Sequence, residues 1–225
     1  HSPEVMLGLN KNWMVHGSLN FSDMHEEKLI WEGARLYAKY RFLSKDEVHE
    51  HFRMAAFGAL AYSRNHLDHN ELNLMGDHSG VQYGLIATQL WNKFAISGTG
   101  GITEVLNSSR WNKSTYNPYA FRALQYSLSA GLLLLPLAYK SYDQTNVNLY
   151  LELLGNRNLD FPQEKYFVDL APSIQAIFKS TSKLNIGYRF QLAGDVYRLA
   201  NRSFMVSYEY IFLNALHKKR PRAAQ

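Results

Sequence analysis

The chain contains no cysteine. That excludes structural disulfides and thiolate metal sites, and leaves the compartment open. It also lacks a long apolar run. A membrane-crossing helix needs about 18 or more consecutive apolar residues, and the oiliest stretch, 130–138, is short and holds Pro136. Charge is scarce at 19% of residues, and the net value of +5 is small. Part of that charge sits in the basic run 217–222 (HKKRPR). No aromatic or glycine pattern accompanies the run, so it reads as a solvated tail and no nucleic-acid partner is expected. The sequence opens on His1-Ser2-Pro3 without an initiator Met, a basic start or an apolar leader. A processed or truncated chain is the expectation.

What the chain does have is alternation. From 123 to 134, Leu124, Tyr126, Leu128, Ala130 and Leu132 share one parity, and Gln125, Ser127, Ser129 and Gly131 share the other. From 183 to 192, Leu184, Ile186, Tyr188, Phe190 and Leu192 alternate with Asn185, Gly187, Arg189 and Gln191. Side chains along a strand point to opposite faces in turn, so each segment reads as a strand with one oily and one wet face. About eleven such segments are expected, at roughly 3–9, 13–21, 30–43, 51–62, 82–91, 93–105, 122–134, 146–155, 166–178, 183–193 and 203–213. Short connections (10–12, 44–50, 92, 180–182) alternate with longer polar ones (22–29, 63–81, 107–120, 156–165, 194–202), with 138–145 as the exception. This is the layout of bacterial outer-membrane barrels, whose short turns face the periplasm. A mean hydropathy of −0.31 fits a barrel, because half of each strand faces inward.

The oily face carries a second signal. Trp13, Tyr40, Phe42, Phe52, Trp91, Phe94, Phe178 and Phe212 flank the short turns. Phe21, Tyr62, Tyr83, Tyr166 and Phe204 flank the long loops. Between them lie aliphatic or small residues such as Leu36, Ala56, Leu85, Gly98, Leu128 and Ile174. Two aromatic girdles around an aliphatic band describe a lipid-embedded barrel. A soluble sandwich or lipocalin-like barrel alternates equally well, but its outer face would be rich in Lys and Glu. Here the polar face holds Ser, Gly, Thr, Asn and Gln with a few charges of both signs: Arg35, Lys39, Arg41, Arg53, Glu152, Asp169, Arg189 and Glu209. Such a sparse mixture suits an interior where charges pair across neighbouring strands.

The segments PEVMLGLNKNWMVHG, LYAKYRFLSKDEVHEHFRMAAFG, GLIATQLWNKFAIS and YFVDLAPSIQAIF…LNIGYRFQL resemble uncharacterised outer-membrane β-barrel proteins of the Bacteroidota. The resemblance runs over nearly the whole chain. It implies an outer-membrane barrel made with a signal peptide, and it brings no catalytic or ligand residues. Such proteins have further chain, including a strand, before the equivalent of Pro3. They also tend to end at the last strand, where a terminal aromatic serves as the assembly signal. Here Phe212 is the expected carrier, and the chain continues past it.

Few residues invite chemistry. His66, His69 and His78 share one long loop with Asp68, Glu71, Met75 and Asp77. Imidazole with carboxylate can hold Zn²⁺ or Cu²⁺. The spacing matches no recognised site, however, and a solvated loop explains it more simply. Inward pairs such as His16/Ser18, Asp169/Ser173 and Glu209/Ser207 form no lipase or protease motif, and no G-x-S-x-G occurs. Gly98, Gly100 and Gly101 within one strand read as a bend or bulge.

The expected fold is therefore all-β: a transmembrane antiparallel up-and-down β-barrel over residues 1–213, with a basic tail at 214–225. Bacterial single-chain barrels have an even strand number. About eleven strands in this chain thus imply about twelve in the full protein, with one before His1. The expected function is a narrow pore or carrier for small solutes in the bacterial outer membrane. The alternative is a non-catalytic accessory barrel within a larger envelope complex. No enzyme activity and no cofactor are expected. The expected partners are outer-membrane lipid and lipopolysaccharide, with an envelope protein as a further one.

Overall fold

A computed structural model describes residues 1–23, 28–66, 69–107, 119–138, 143–160, 163 and 165–212. The tail 214–225 and Asp68 lie outside these residues. The described chain is all-β, with eleven strands. They are β1 (Glu4–Gly8), β2 (Trp13–Ser22), β3 (Ile30–Asp46), β4 (Glu50–Ser63), β5 (Gly80–Trp91) and β6 (Phe94–Val105), followed by β7 (Arg122–Leu135), β8 (Asn146–Asn158), β9 (Tyr166–Phe178), β10 (Ser182–Gly194) and β11 (Arg202–Tyr210). All join one antiparallel sheet, and each strand pairs with its neighbours in chain order.

The register sorts the side chains as the alternation requires. Directly paired residues share a face. Leu36 pairs with Gly17 and Leu60, Leu85 with Ala56 and Gly100, and Leu128 with Gly98 and Leu153. This apolar face is the open one: Leu36, Leu60, Leu85, Leu128 and Leu151 are 48–59% exposed. A sandwich or lipocalin would bury these residues as its core. The opposite face carries Gln82, Thr99, Ser127, Glu152, Ser173 and Arg189, and it is the enclosed one. Phe57 on β4 and Arg189 on β10 line the same cavity. Six strand spacings at about 4.8 Å would separate them by roughly 29 Å on a flat sheet, so the sheet curls with its polar face inside.

The sheet does not close into a barrel. Residues 1–3 extend the pairing of β1 with β2, through Phe21 N–H donating to His1 O at 2.9 Å and Leu19 N–H to Pro3 O at 3.1 Å. β1 and β11 form no ladder with each other and are the two edges. All of β1 is exposed, and so is all of β11 except Glu209. With eleven strands in alternating directions, these two edges run parallel to each other.

Two features depart from the expectation. β8 continues through Asn156, Arg157 and Asn158, which read as loop. Their polar side chains do not stop the strand, because each has a register partner on β7 (Gln125, Leu124 and Ala123). The glycines of β6 make no bulge, since β5 and β6 pair without a register shift. What they provide is close approach. Gly101 faces Gly84, and a Cβ on Gly84 would sit 2.2 Å from Gly100 O and 2.8 Å from the Phe57 ring. The Phe57 ring lies against this glycine shelf on the inner face.

Candidate functional site

The site forms because one long connection folds inward. Residues 64–79 join β4 to β5. Ser79 closes the base of this loop: its Oγ accepts from Ser63 N–H at 2.8 Å and donates to Ser63 O at 3.1 Å. At the tip, Asn73 makes the turn that its short amide favours. Its Oδ1 accepts from Met75 N–H at 2.8 Å, its carbonyl from His78 N–H at 3.1 Å, and its Nδ2 donates to Asp77 at 3.0 Å. Gly76 follows with φ 120°, a conformation open to glycine.

Residues 69–78 of this loop cross the mouth of the curled sheet at its long-loop rim. On one side Arg35 of β3 reaches Met75 Sδ at 3.4 Å. On the other, Asn70 N–H donates to Tyr197 O at 3.1 Å. In between, Asn70 Oδ1 accepts from Ala120 N–H at 2.9 Å, and Leu72 O accepts from Gln125 Nε2 at 2.8 Å. Leu72 packs with Val105, Ala120, Phe121 and Ala123 in the apolar cluster of this rim.

Glu71 fastens the loop to the far wall. Arg198, from the β10–β11 connection, donates Nε to Glu71 Oε2 at 2.8 Å and Nη1 to Asp169 Oδ1 at 2.8 Å. Arg189 Nη2 donates to the other Glu71 oxygen at 2.8 Å, and Arg189 Nε meets Asp169. Two acids and two arginines thus neutralise each other. The Asp169 side chain is fully buried and that of Arg198 is 2% exposed. The Arg198 guanidinium stacks 3.9 Å above the Phe167 ring. Burial opposes its charge, but the bonds to Asp169 and Glu71 outweigh burial and raise its pKa.

Under the loop lies a cavity of about 330 Å³. Its wall is mixed: Phe57 and Leu154 beside Gln82, Gln125, Asn156 and Arg189. Arg35 Nη2 donates to Gln82 Oε1 at 3.1 Å, and Gln82 Nε2 donates in turn to Gln125. An ordered chain of amides therefore runs from β3 to the loop.

The remaining expected residues fall as follows. Arg189 pairs with Asp169 as the mixture of signs suggested. Glu209 pairs with Lys183 at 3.0 Å, a partner outside the expected set. Arg53 pairs with Asp46 at 3.0 Å at the short-turn rim, and Arg41 Nη2 donates to Lys11 O at 2.5 Å. Lys39 and Glu152 take inward register positions, opposite Met14 and Ser129 respectively. His16 turns to Glu4 at 2.5 Å. Of the aromatic set, Trp13 and Tyr40 pair on the outer face with rings 4.8 Å apart, and Trp91 and Phe94 pair there stacked at 6.4 Å. Trp31, stacked 6.1 Å from Tyr62, joins that set.

His69 and His78 come together edge to face at 5.1 Å, with His69 Nε2 3.9 Å from Asp77. His66 stays exposed. Burial pushes the Asp77 carboxyl up, Glu32 and Glu71 add to that, and His69 opposes it. Among the described residues, no group of three or more His, Asp or Glu is arranged to hold a metal ion.

Sequence reading missed Arg198 and Phe167. Arg198 lay in a stretch that reads as an ordinary loop. Phe167 had a visible signal: it is a large aromatic at a polar-face position, two residues before Asp169. Comparison with known proteins adds nothing further: no family model, curated protein or solved structure matches the chain.

Proposed function

We propose that this chain is an outer-membrane β-barrel that passes small solutes, with the loop 64–79 as its constriction. One observation carries the reading. The exposed face of the sheet is aliphatic with aromatics at both ends, and the enclosed face is polar and lines a cavity. Lipid outside and water inside is the solvent arrangement that suits those two faces. The resemblance to outer-membrane barrels of the Bacteroidota points the same way. A twelfth strand, antiparallel to both β1 and β11, completes an all-antiparallel ring whichever chain supplies it. Closure is required in lipid, where unpaired backbone groups are not tolerated.

The open edges favour a second reading. An accessory barrel in an envelope complex would take its closing strand from a partner. Planar-bilayer recording on protein purified from native membrane separates the two. The pore reading predicts discrete conductance steps that enlarge in Glu71→Gln, because that change releases the loop from Arg189 and Arg198. A silent bilayer, together with a stoichiometric co-purifying protein, would overturn the pore reading in favour of the accessory one.

A further inference from the structure

We infer that the cavity under the loop 64–79 binds a neutral, polyhydroxylated solute of monosaccharide size. The inference deepens the transport reading by naming its solute class, and rests on that reading for what the site serves.

Size sets the first limit. About 330 Å³ lies at the low end of small-molecule sites, which run from about 300 to 1,000 Å³. That accommodates one six-membered ring with its substituents and little more.

Charge sets the second. The ionic groups at the wall, Glu71 and Arg189, belong to the closed set that also contains Asp169 and Arg198. An anion would compete with the carboxylates for an arginine, and a cation with the arginines for a carboxylate. The set is neutral as a whole and each of its arginines already meets both carboxylates, so a charged solute finds no net counter-charge there and a neutral one needs none.

The donors and acceptors then choose among neutral solutes. Gln82, Gln125 and Asn156 offer amides, and Thr99 and Ser127 offer hydroxyls. Each type both donates and accepts, which matches sugar hydroxyls that do the same. Asn156 is the most telling. It is 2% exposed, lines the cavity, sits opposite Gln125 in the ladder, and its Oδ1 has no hydrogen-bond partner among the described residues. A buried acceptor left open is costly unless a ligand donates to it. Gln125 beside it is held at both ends, accepting from Gln82 and donating to Leu72 O. Its carbonyl keeps a second lone pair for a ligand. Phe57 supplies an apolar surface on the same wall, and its ring is seated on Gly84 and Gly101. A sugar ring presents C–H groups to such a surface while its hydroxyls reach the amides.

The test is calorimetric titration of the full chain in detergent. The probes are D-glucose, D-galactose, D-mannitol and N-acetyl-D-glucosamine, with glycine and succinate as zwitterionic and anionic controls. The site predicts saturable binding of at least one neutral probe and none of either control. Asn156→Leu should weaken that binding at least tenfold with an unchanged melting temperature, since it removes a buried unpartnered oxygen. Gln125→Met is the second variant, with the same loss expected, and serves if the first does not fold. No saturable neutral probe, binding of the controls alone, or binding untouched by a folded variant would each overturn the proposal. Swelling of protein-loaded liposomes keeps the two claims apart. Sugar binding without swelling supports the site and ends the transport reading. Swelling without saturable binding ends the site and leaves the transport reading in place.

Discussion

On the proposed outer-membrane reading, arginine in place of Leu128 should destabilise the protein in a bilayer by about 2–4 kcal/mol, the cost of a cation on a lipid face near the bilayer midplane. Leu128 lies midway along β7, is 54% exposed, and is flanked by Gly98 and Leu153 on the same face. Neither register partner has a side-chain polar group to offer a guanidinium. The next residue provides the control at nearly the same depth. Ser129 points to the enclosed face, opposite Ser97 and Glu152, so an arginine there meets a carboxylate across the ladder. Leu128→Arg and Ser129→Arg should therefore differ by most of that cost in reversible urea unfolding from phospholipid bilayers. Equal losses at the two positions would mean that the two faces do not meet different solvents.

The second large effect concerns the ionic set at the mouth. Arg198→Met should cost about 3–5 kcal/mol, the usual loss when one partner of a buried ion pair is removed. The attraction between the charges is not the source of that figure, because burying them consumes most of it. The loss arises because Asp169, fully buried, would keep its charge with Arg189 as its remaining ionic partner. Glu71 would also lose the contacts from Nε and Nη2 of Arg198. The loop 64–79 should then open, seen as faster amide exchange over residues 69–78. Adding Glu71→Gln to Arg198→Met should cost less than the sum of the two single changes, by about 0.5–3 kcal/mol for residues in one network. A loss under about 1 kcal/mol in Arg198→Met, with exchange unchanged, would show that the set does not hold the loop.

The strands were legible in the sequence because their signal is local. Alternation over Leu124 to Leu132 or Leu184 to Phe190 depends on nothing outside each segment, and it sets which face is apolar before any pairing is known. The pairing of Lys183 with Glu209 was within reach of the same logic, since the two face each other on adjacent strands. The site was not legible, because its contacts are remote. Glu71 is 118 residues from Arg189 and 127 from Arg198. No periodicity links a loop residue to the wall it closes on. The histidines show the limit from the other side. Three of them crowd one short stretch, but the fold draws His69 and His78 inward and leaves His66 exposed. The sequence favoured a solvated loop over a metal site, yet His69 and His78 are buried against each other, because their burial depends on the path the loop takes across the sheet. The open edges, by contrast, followed from the strand count: eleven alternating strands leave β1 and β11 parallel, so they cannot join an all-antiparallel ring directly.

The most direct test of lipid outside and water inside uses the absence of native cysteine. Single cysteines at each position from 124 to 132 on β7 would carry a nitroxide label in the reconstituted protein. Collision with dissolved oxygen reports lipid, and collision with a water-soluble nickel chelate reports water. Strict alternation is the expected result. Oxygen collisions should dominate at 124, 126, 128, 130 and 132, and nickel collisions at 125, 127, 129 and 131. Nickel access equal at both parities, or highest at the even positions, would contradict it.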